Sequence, residues 1–83
     1  MLNVDKKIKI DEIYVPMSKQ KTLNAAKVEE IATSMLESGQ KTPILVRADG
    51  ARYVLVEGLH RLEAAKAIGE TTIVCMVVQA RRS

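Results

Sequence analysis

A glycine, a histidine and an arginine lie close together where an apolar run gives way to a helical pattern. Residues 53–56 are typical of a buried strand, and residues 59–68 repeat apolar side chains every three or four positions, which indicates a helix. Gly58 separates the two, and His60 and Arg61 fall in the first helical turn, where backbone N–H groups lack partners and the helix dipole is positive. This spacing predicts an anion site.

Each of these residue types suits a phosphate. Gly58 lets a ligand approach the backbone, His60 donates a hydrogen bond, and Arg61 offers a planar set of donors. An ordinary strand-to-helix turn with a solvated arginine would carry the same residues. The choice between the two depends on the rest of the chain.

A long helix precedes this turn. Asn24 is a suitable N-cap, Gly39 ends the pattern, and Leu23 and Val28 occupy the positions of a hydrophobic staple. The predicted apolar stripe consists of Val28, Ile31, Ala32, Met35 and Leu36. The opposite face carries Lys27, Glu30 and Ser34, which point the same way and form either a binding surface or an ordinary solvated face.

The remaining segments predict strands and one loop. Residues 7–10 indicate a first strand, which lies in a segment of alternating apolar and polar residues that ends at Pro16. Residues 16–22 are polar and predict a loop that reaches over a ligand with Lys19 and Lys21. Residues 44–47 and 52–56 form a hairpin around Asp49-Gly50. Residues 71–79 are nearly all apolar, so we expect a last strand that is buried on both faces.

These elements predict an α/β (α+β) fold with a small mixed β-sheet packed by two amphipathic helices. The 83 residues are enough for one domain, 1–83, which we expect to lead into a further segment. The core is aliphatic, since the chain has two tyrosines and no Trp or Phe. We expect Cys75 to be a buried hydrophobic residue.

Composition excludes several classes of protein. One cysteine and one histidine cannot make a zinc site, and no apolar stretch is long enough to span a membrane, so we expect a cytoplasmic protein with no membrane partner. Basic residues gather in residues 1–28 and at Arg81-Arg82, which favours a nucleotide or nucleic acid as ligand. The net charge of +3 is nevertheless low for a dedicated duplex-binding protein.

Three motifs together resemble one superfamily. They are residues 26–31 followed by a glycine, Thr42-Pro43-Ile44, and Glu57-Gly58-Leu59-His60-Arg61. Residues 23–78 resemble the fold shared by the ParB N-terminal domain, sulfiredoxin and the ADP-dependent free-serine kinases of archaea. The resemblance implies that the phosphate-binding turn consists of Gly58, Leu59, His60 and Arg61.

The resemblance also implies a role for the preceding helix. Lys27 and Ser34 match positions that contact the nucleotide in sulfiredoxin-like proteins. Glu30 occupies a third such position, where a carboxylate needs a metal ion, Mg²⁺, between itself and the phosphates. The implied ligand is a nucleoside di- or triphosphate, CTP or ATP.

The sequence departs from two members of the superfamily. Leu59 stands where sulfiredoxin has its catalytic cysteine, so we expect no sulfinic acid reductase activity. ParB proteins carry the more basic box Gly-Glu-Arg-Arg-x-Arg at this turn, and only the glycine and one arginine remain here. The choice of nucleotide is therefore left open.

Three functions follow from these observations. The first is a ParB-like nucleotide-binding domain of a DNA-partition or DNA-metabolism regulatory protein, as found on plasmids, with DNA and a second copy of the chain as further partners. The second is a phosphoryl-transfer enzyme, NTPase or nuclease in which Glu57 is the catalytic base, although Glu57 also suits a cap or an ion pair with Arg61. The third is a DNA-binding module that acts by electrostatic attraction alone.

Overall fold

The computed structural model describes residues 5–78, which form five strands and three α-helices. The elements are β1 (Asp5–Lys9), β2 (Ile13–Tyr14), α1 (Met17–Gln20), α2 (Ala25–Ser38), β3 (Ile44–Asp49), β4 (Arg52–Glu57), α3 (Leu59–Ala67) and β5 (Thr72–Val78), with a 3-10 turn at Ile10–Glu12. None of the described helices is long and apolar enough to cross a membrane.

The five strands form one mixed sheet in the order β1-β5-β3-β4-β2. The β1 strand runs antiparallel to β5, and β3 runs antiparallel to β4 across the predicted hairpin, where Gly50 has a φ of +62°. The β5 strand lies parallel to β3, and β2 parallel to β4. The prediction of a mixed α+β sheet is therefore confirmed.

The core lies between the sheet and α3. It is aliphatic, as predicted, and its buried members are Ile8, Ile10, Ile13, Ile44, Val46, Leu55, Leu59, Leu62, Ala65, Ile73 and Cys75. The prediction for Cys75 is confirmed, because its thiol is fully buried and burial raises its pKa from 9.0 to about 11. A thiol with this pKa stays protonated and unreactive near neutral pH.

The α2 helix packs against α3 on the same side of the sheet, and Met35 reaches the core. Its predicted ends are confirmed: the Asn24 side chain accepts a hydrogen bond from the Lys27 N–H at 3.1 Å, and Gly39 follows the last turn with a φ of +76°. The assignment of Leu36 to the apolar stripe was wrong, since Leu36 is 71% exposed. Because α2 lies at the flank of the domain, it buries a narrower stripe than its sequence predicts.

Two further predictions need correction. Residues 16–22 are not simply a loop, because they contain α1, which is held by hydrogen bonds from Gln20 Nε2 to the Val15 carbonyl and from the Thr22 hydroxyl to the Lys19 carbonyl. The β5 strand is buried on one face only, because α2 and α3 both lie on that side. The residues of β5 on its other face are only partly buried.

The limits of some strands also differ from the prediction. The first strand covers Asp5–Lys9 rather than residues 7–10, because Ile10 begins the 3-10 turn. Gln79, Arg81 and Arg82 lie outside the described residues.

The connection between α2 and β3 is attached to the sheet by one side chain. Gln40 Oε1 accepts a hydrogen bond from the Val74 N–H at 2.9 Å, and Gln40 Nε2 donates to the Val74 and Thr42 carbonyls, each at 2.9 Å. A side-chain amide therefore makes the pair of hydrogen bonds that a neighbouring strand would make.

Candidate functional site

Gly58 joins the end of β4 to the start of α3 in a conformation that few other residues adopt. Its φ is +113°, and a Cβ placed there would lie 2.6 Å from Ile44 Cγ2 and 2.8 Å from Ile44 Cβ. Ile44 thus fills the space that we expected to be open to a ligand. The fold itself requires glycine here, because the start of α3 packs directly on β3.

The N-terminus of α3 has no cap within the described residues. The first intrahelical hydrogen bond runs from the Leu62 N–H to the Gly58 carbonyl at 2.9 Å, and no side chain accepts from the first turn. The N–H groups of Leu59, His60 and Arg61 therefore have no acceptor among residues 5–78. Together with the helix dipole, these groups favour a bound anion.

A cleft of about 340 Å³ lies in front of this helix end. Its lining residues are Ser18, Lys19, Thr22, Val56, Glu57, Gly58, Leu59 and His60. The segment around α1 thus forms the second wall of the cleft. The sequence indicated that residues 16–22 approach a ligand, but it did not identify Ser18 and Thr22, because the helical turn that places them was not predicted.

His60 connects the two long helices at their N-termini. Its Nε2 accepts a hydrogen bond from the backbone N–H of Asn24 at 3.0 Å. A ring nitrogen that accepts carries no proton, so in the neutral imidazole the proton is on Nδ1. Nδ1 is then the ring nitrogen that can donate a hydrogen bond, and the positive ends of α2 and α3 lie beside each other.

The side chains that follow Gly58 differ in what they offer. The Leu59 side chain is only 7% exposed and belongs to the core, so the backbone N–H is the group that Leu59 presents at the start of α3. Arg61 is half-buried and forms no ion pair or hydrogen bond with any residue of the described part. The expected alternative of a Glu57–Arg61 ion pair is therefore absent there, and Glu57 lies exposed at the cleft.

Lys27, Glu30 and Ser34 are all exposed along α2, but none of them lines the cleft. Lys27 lies in the first turn of α2, directly above the Asn24 cap. Ser34 lies about 10 Å farther along the axis, at ~1.5 Å per residue. A ligand that contacts both must extend along α2.

The structure describes no complete metal site. Within residues 5–78 there is no group of three or more His, Cys, Asp or Glu residues suited to hold a metal ion. Mg²⁺ at nucleotide sites is usually held by one or two carboxylates together with phosphate oxygens and water. Glu57 fits this donor set at the cleft, and the assignment of Glu30 stays a prediction.

Known proteins are similar to this chain in both sequence and fold. Over 70 residues the chain is 37% identical to the probable chromosome-partitioning protein ParB of Helicobacter pylori, a match that covers 83% of this chain and 24% of the relative. The chain thus spans about a quarter of that relative's length.

Two solved structures are similar over nearly the whole domain. Sulfiredoxin from Arabidopsis thaliana has a TM-score of 0.84 at 26% identity, covering 93% of this chain and 86% of that protein. A C-terminally truncated ParB from Caulobacter crescentus, in complex with CTP-γ-S, has a TM-score of 0.81 at 27% identity and covers 94% of this chain and 46% of that protein.

The fold alone does not separate ParB from sulfiredoxin, because both structures superpose well. At the level of sequence, residues 2–83 match the ParB N-terminal domain. The chain therefore belongs to the ParB N-terminal domain family.

Proposed function

We propose that this chain is the nucleotide-binding domain of a ParB-type partitioning protein and that the uncapped N-terminus of α3 binds the phosphates. The observation that carries this proposal is the set of N–H groups at Leu59, His60 and Arg61, which have no acceptor among the described residues. Leu59 and His60 line the cleft, and Arg61 follows them in the same turn without lining it. The CTP-γ-S complex of the Caulobacter ParB supports a nucleotide as the anion.

Each residue of the site has a separate task. The first-turn N–H groups and the Arg61 guanidinium bind phosphate oxygens, and the His60 Nδ1–H adds a further donor. Lys19 contributes positive charge from the α1 wall. Lys27 and Ser34 then contact the part of the nucleotide that extends along α2.

Mg²⁺ would supply charge neutralisation between the phosphates and the acidic groups. Without it, the carboxylate of Glu57 at the cleft would repel a triphosphate. Glu57, with Glu30 as the second candidate, is the residue that would hold the ion. If the chain instead hydrolyses the nucleotide or transfers a phosphoryl group, the same carboxylate is the candidate base. Glu57→Gln would then stop phosphate release.

The expected affinity is moderate. Hydrogen bonds to charged groups contribute about 1.5 to 3 kcal/mol each, and ordering the ligand and the α1 segment reduces the total. A dissociation constant between about 1 µM and 1 mM follows.

Arg61→Ala tests the proposal. Calorimetric titration of the wild-type chain with CTP, ATP and ADP in the presence of Mg²⁺ should give saturable binding to at least one of them. Arg61→Ala should weaken that binding at least about tenfold with little change in the melting temperature, because Arg61 has no partner among the described residues. Arg52→Ala removes the same charge from an exposed site far along the sheet and should bind like the wild type.

Two results would contradict the proposal. One is the absence of binding at millimolar nucleotide. The other is an equal loss of binding in Arg52→Ala and Arg61→Ala, combined with duplex DNA binding that falls steeply with salt, which would indicate a DNA-binding module that acts by electrostatic attraction.

A further inference from the structure

The sheet has a second face that no helix covers within residues 5–78. We call the face opposite α3 the outer face. Strand register places Val74, Met76 and Val78 of β5 on it, with Leu45 paired to Met76 and Arg47 paired to Val78. Lys7 and Lys9 of β1 pair with Val74 and Thr72 and lie along one margin.

The outer face is richer in apolar residues than a sheet face that contacts water. A sheet with one face in water normally alternates apolar and polar residues, whereas outward positions here hold Leu45, Val56, Val74, Met76 and Val78. All five are partly buried rather than exposed or fully covered. This explains why β5 reads in the sequence as a strand buried on both sides.

Within residues 5–78, one end of this face is shielded by neighbouring side chains. Val54 is 4% exposed, between its register partners Arg47 and Tyr14. The Arg52 guanidinium lies 4.4 Å from the centre of the Tyr14 ring. The centre of the face, around Met76, has no such cover from any residue in the range 5–78.

The charges around the centre are mostly positive. Lys7, Lys9 and Arg47 form no ion pair with any residue of the described range. On this face Asp49 is paired with Arg52 at 3.4 Å, which leaves two acidic residues near the centre: Asp5, the register partner of Met76, and Glu57, the register partner of Leu45. An apolar centre is thus bordered by three cations that have no acidic partner in the described part of the chain.

We propose that the outer face docks an acidic amphipathic polypeptide segment. Its apolar side chains pack on Leu45, Val74 and Met76, and its carboxylates pair with the cations at the margin. A second copy of the chain fits less well, because a twofold contact would bring these cations toward each other. A single nucleic-acid strand would need aromatic surfaces for its bases, and Tyr14 is already occupied by Arg52.

Two double variants separate the contributions. Val74→Thr with Met76→Gln removes the apolar centre while keeping residues of similar size, and Lys7→Glu with Lys9→Glu reverses the charge at the margin. The two lysines are exposed, so the second variant should fold normally. Cooperative thermal unfolding and an unchanged response to nucleotide serve as folding controls for both.

The probe is a displayed library of random 16-residue peptides, selected on the intact chain. Clones specific for the outer face should be rich in Asp or Glu combined with Leu, Ile or Phe, and both variants should reduce their affinity at least tenfold. The proposal is overturned if no clone depends on the face, or if the clones are basic or unaffected by the lysine reversal. A dimer seen by sedimentation and abolished by Val74→Thr/Met76→Gln would also overturn it, because the face would then bind a second copy of the chain. So would binding of duplex DNA that Lys7→Glu/Lys9→Glu abolishes and Val74→Thr/Met76→Gln retains.

Discussion

The two long helices begin next to each other, yet their first turns are completed in different ways. At α2 the Asn24 side chain accepts the Lys27 N–H, so the first turn is stabilised within the chain. At α3 the preceding residue is Gly58, which has no side chain to offer, and the first-turn N–H groups find no acceptor within residues 5–78. Under the proposed function, the capped end of α2 serves the fold, and the N–H groups at the start of α3 serve the ligand.

The contrast also shows how the fold compensates for the missing cap. The start of α3 is fixed by the close contact between Gly58 and Ile44, by burial of Leu59 and by the bond between His60 and Asn24. These interactions hold the turn in place without using the N–H groups. An anion then meets donors that are already oriented, which lowers the entropy cost of binding.

The largest expected effect is that of Gly58→Ala. The new Cβ would lie 2.6 Å from Ile44 Cγ2, and alanine rarely adopts a φ of +113°. We expect a loss of about 3 kcal/mol or more in the free energy of unfolding, measured by urea titration. Gly50→Ala is the control, because its φ is +62° with no atom within 4 Å, and about 1 kcal/mol is expected. Equal losses in the two variants would mean that packing on Ile44 does not fix the start of α3.

Asn24→Ala should have a smaller effect. It removes the cap of α2, which costs about 1 kcal/mol of stability, while nucleotide affinity should stay within about twofold of the wild type. Asn24→Asp keeps an acceptor oxygen and should restore the stability. If Asn24→Ala instead abolished nucleotide binding at unchanged stability, the division of roles between the two helix ends would be wrong.

His60→Ala should have the smallest effect on stability. It removes the acceptor of the Asn24 N–H, and because this bond is exposed, water replaces it at a cost of about 0.5 kcal/mol. The amide resonance of Asn24 should shift in the NMR spectrum, and His60→Gln, which retains an acceptor at similar reach, should shift it less. An Asn24 resonance that does not respond to either variant would contradict the link between the helix ends.

Local patterns were sufficient to predict most of the fold. The Asn24 cap, the glycine that ends α2 and the hairpin at Gly50 are each decided by a few neighbouring residues, and all three were confirmed. Leu36 was misassigned because the width of a buried stripe depends on what the helix packs against. For the same reason, the sequence could not predict that the helices cover one face of β5 and leave the other partly exposed.

The candidate site was less predictable than the fold. The turn at residues 57–61 could be identified because it lies in one continuous segment. The acceptor role of His60 depends on Asn24, which is 36 residues away in the sequence. The contact of Gly58 with Ile44 is likewise a tertiary feature, so the sequence left both a ligand site and an ordinary turn open for this glycine and could not reveal the contact.

The amide of Gln40 has a consequence for how this domain opens. Since a side chain, and not a strand, accepts the Val74 N–H, that hydrogen bond can be broken by rotation about the side-chain bonds of a single residue. Deuterium uptake at this position would therefore record the lifting of the α2–β3 connection while β3 and β5 stay paired. The attachment of the α2–β3 connection to β5, an inner strand of the sheet, therefore depends on the rotamer of one side chain.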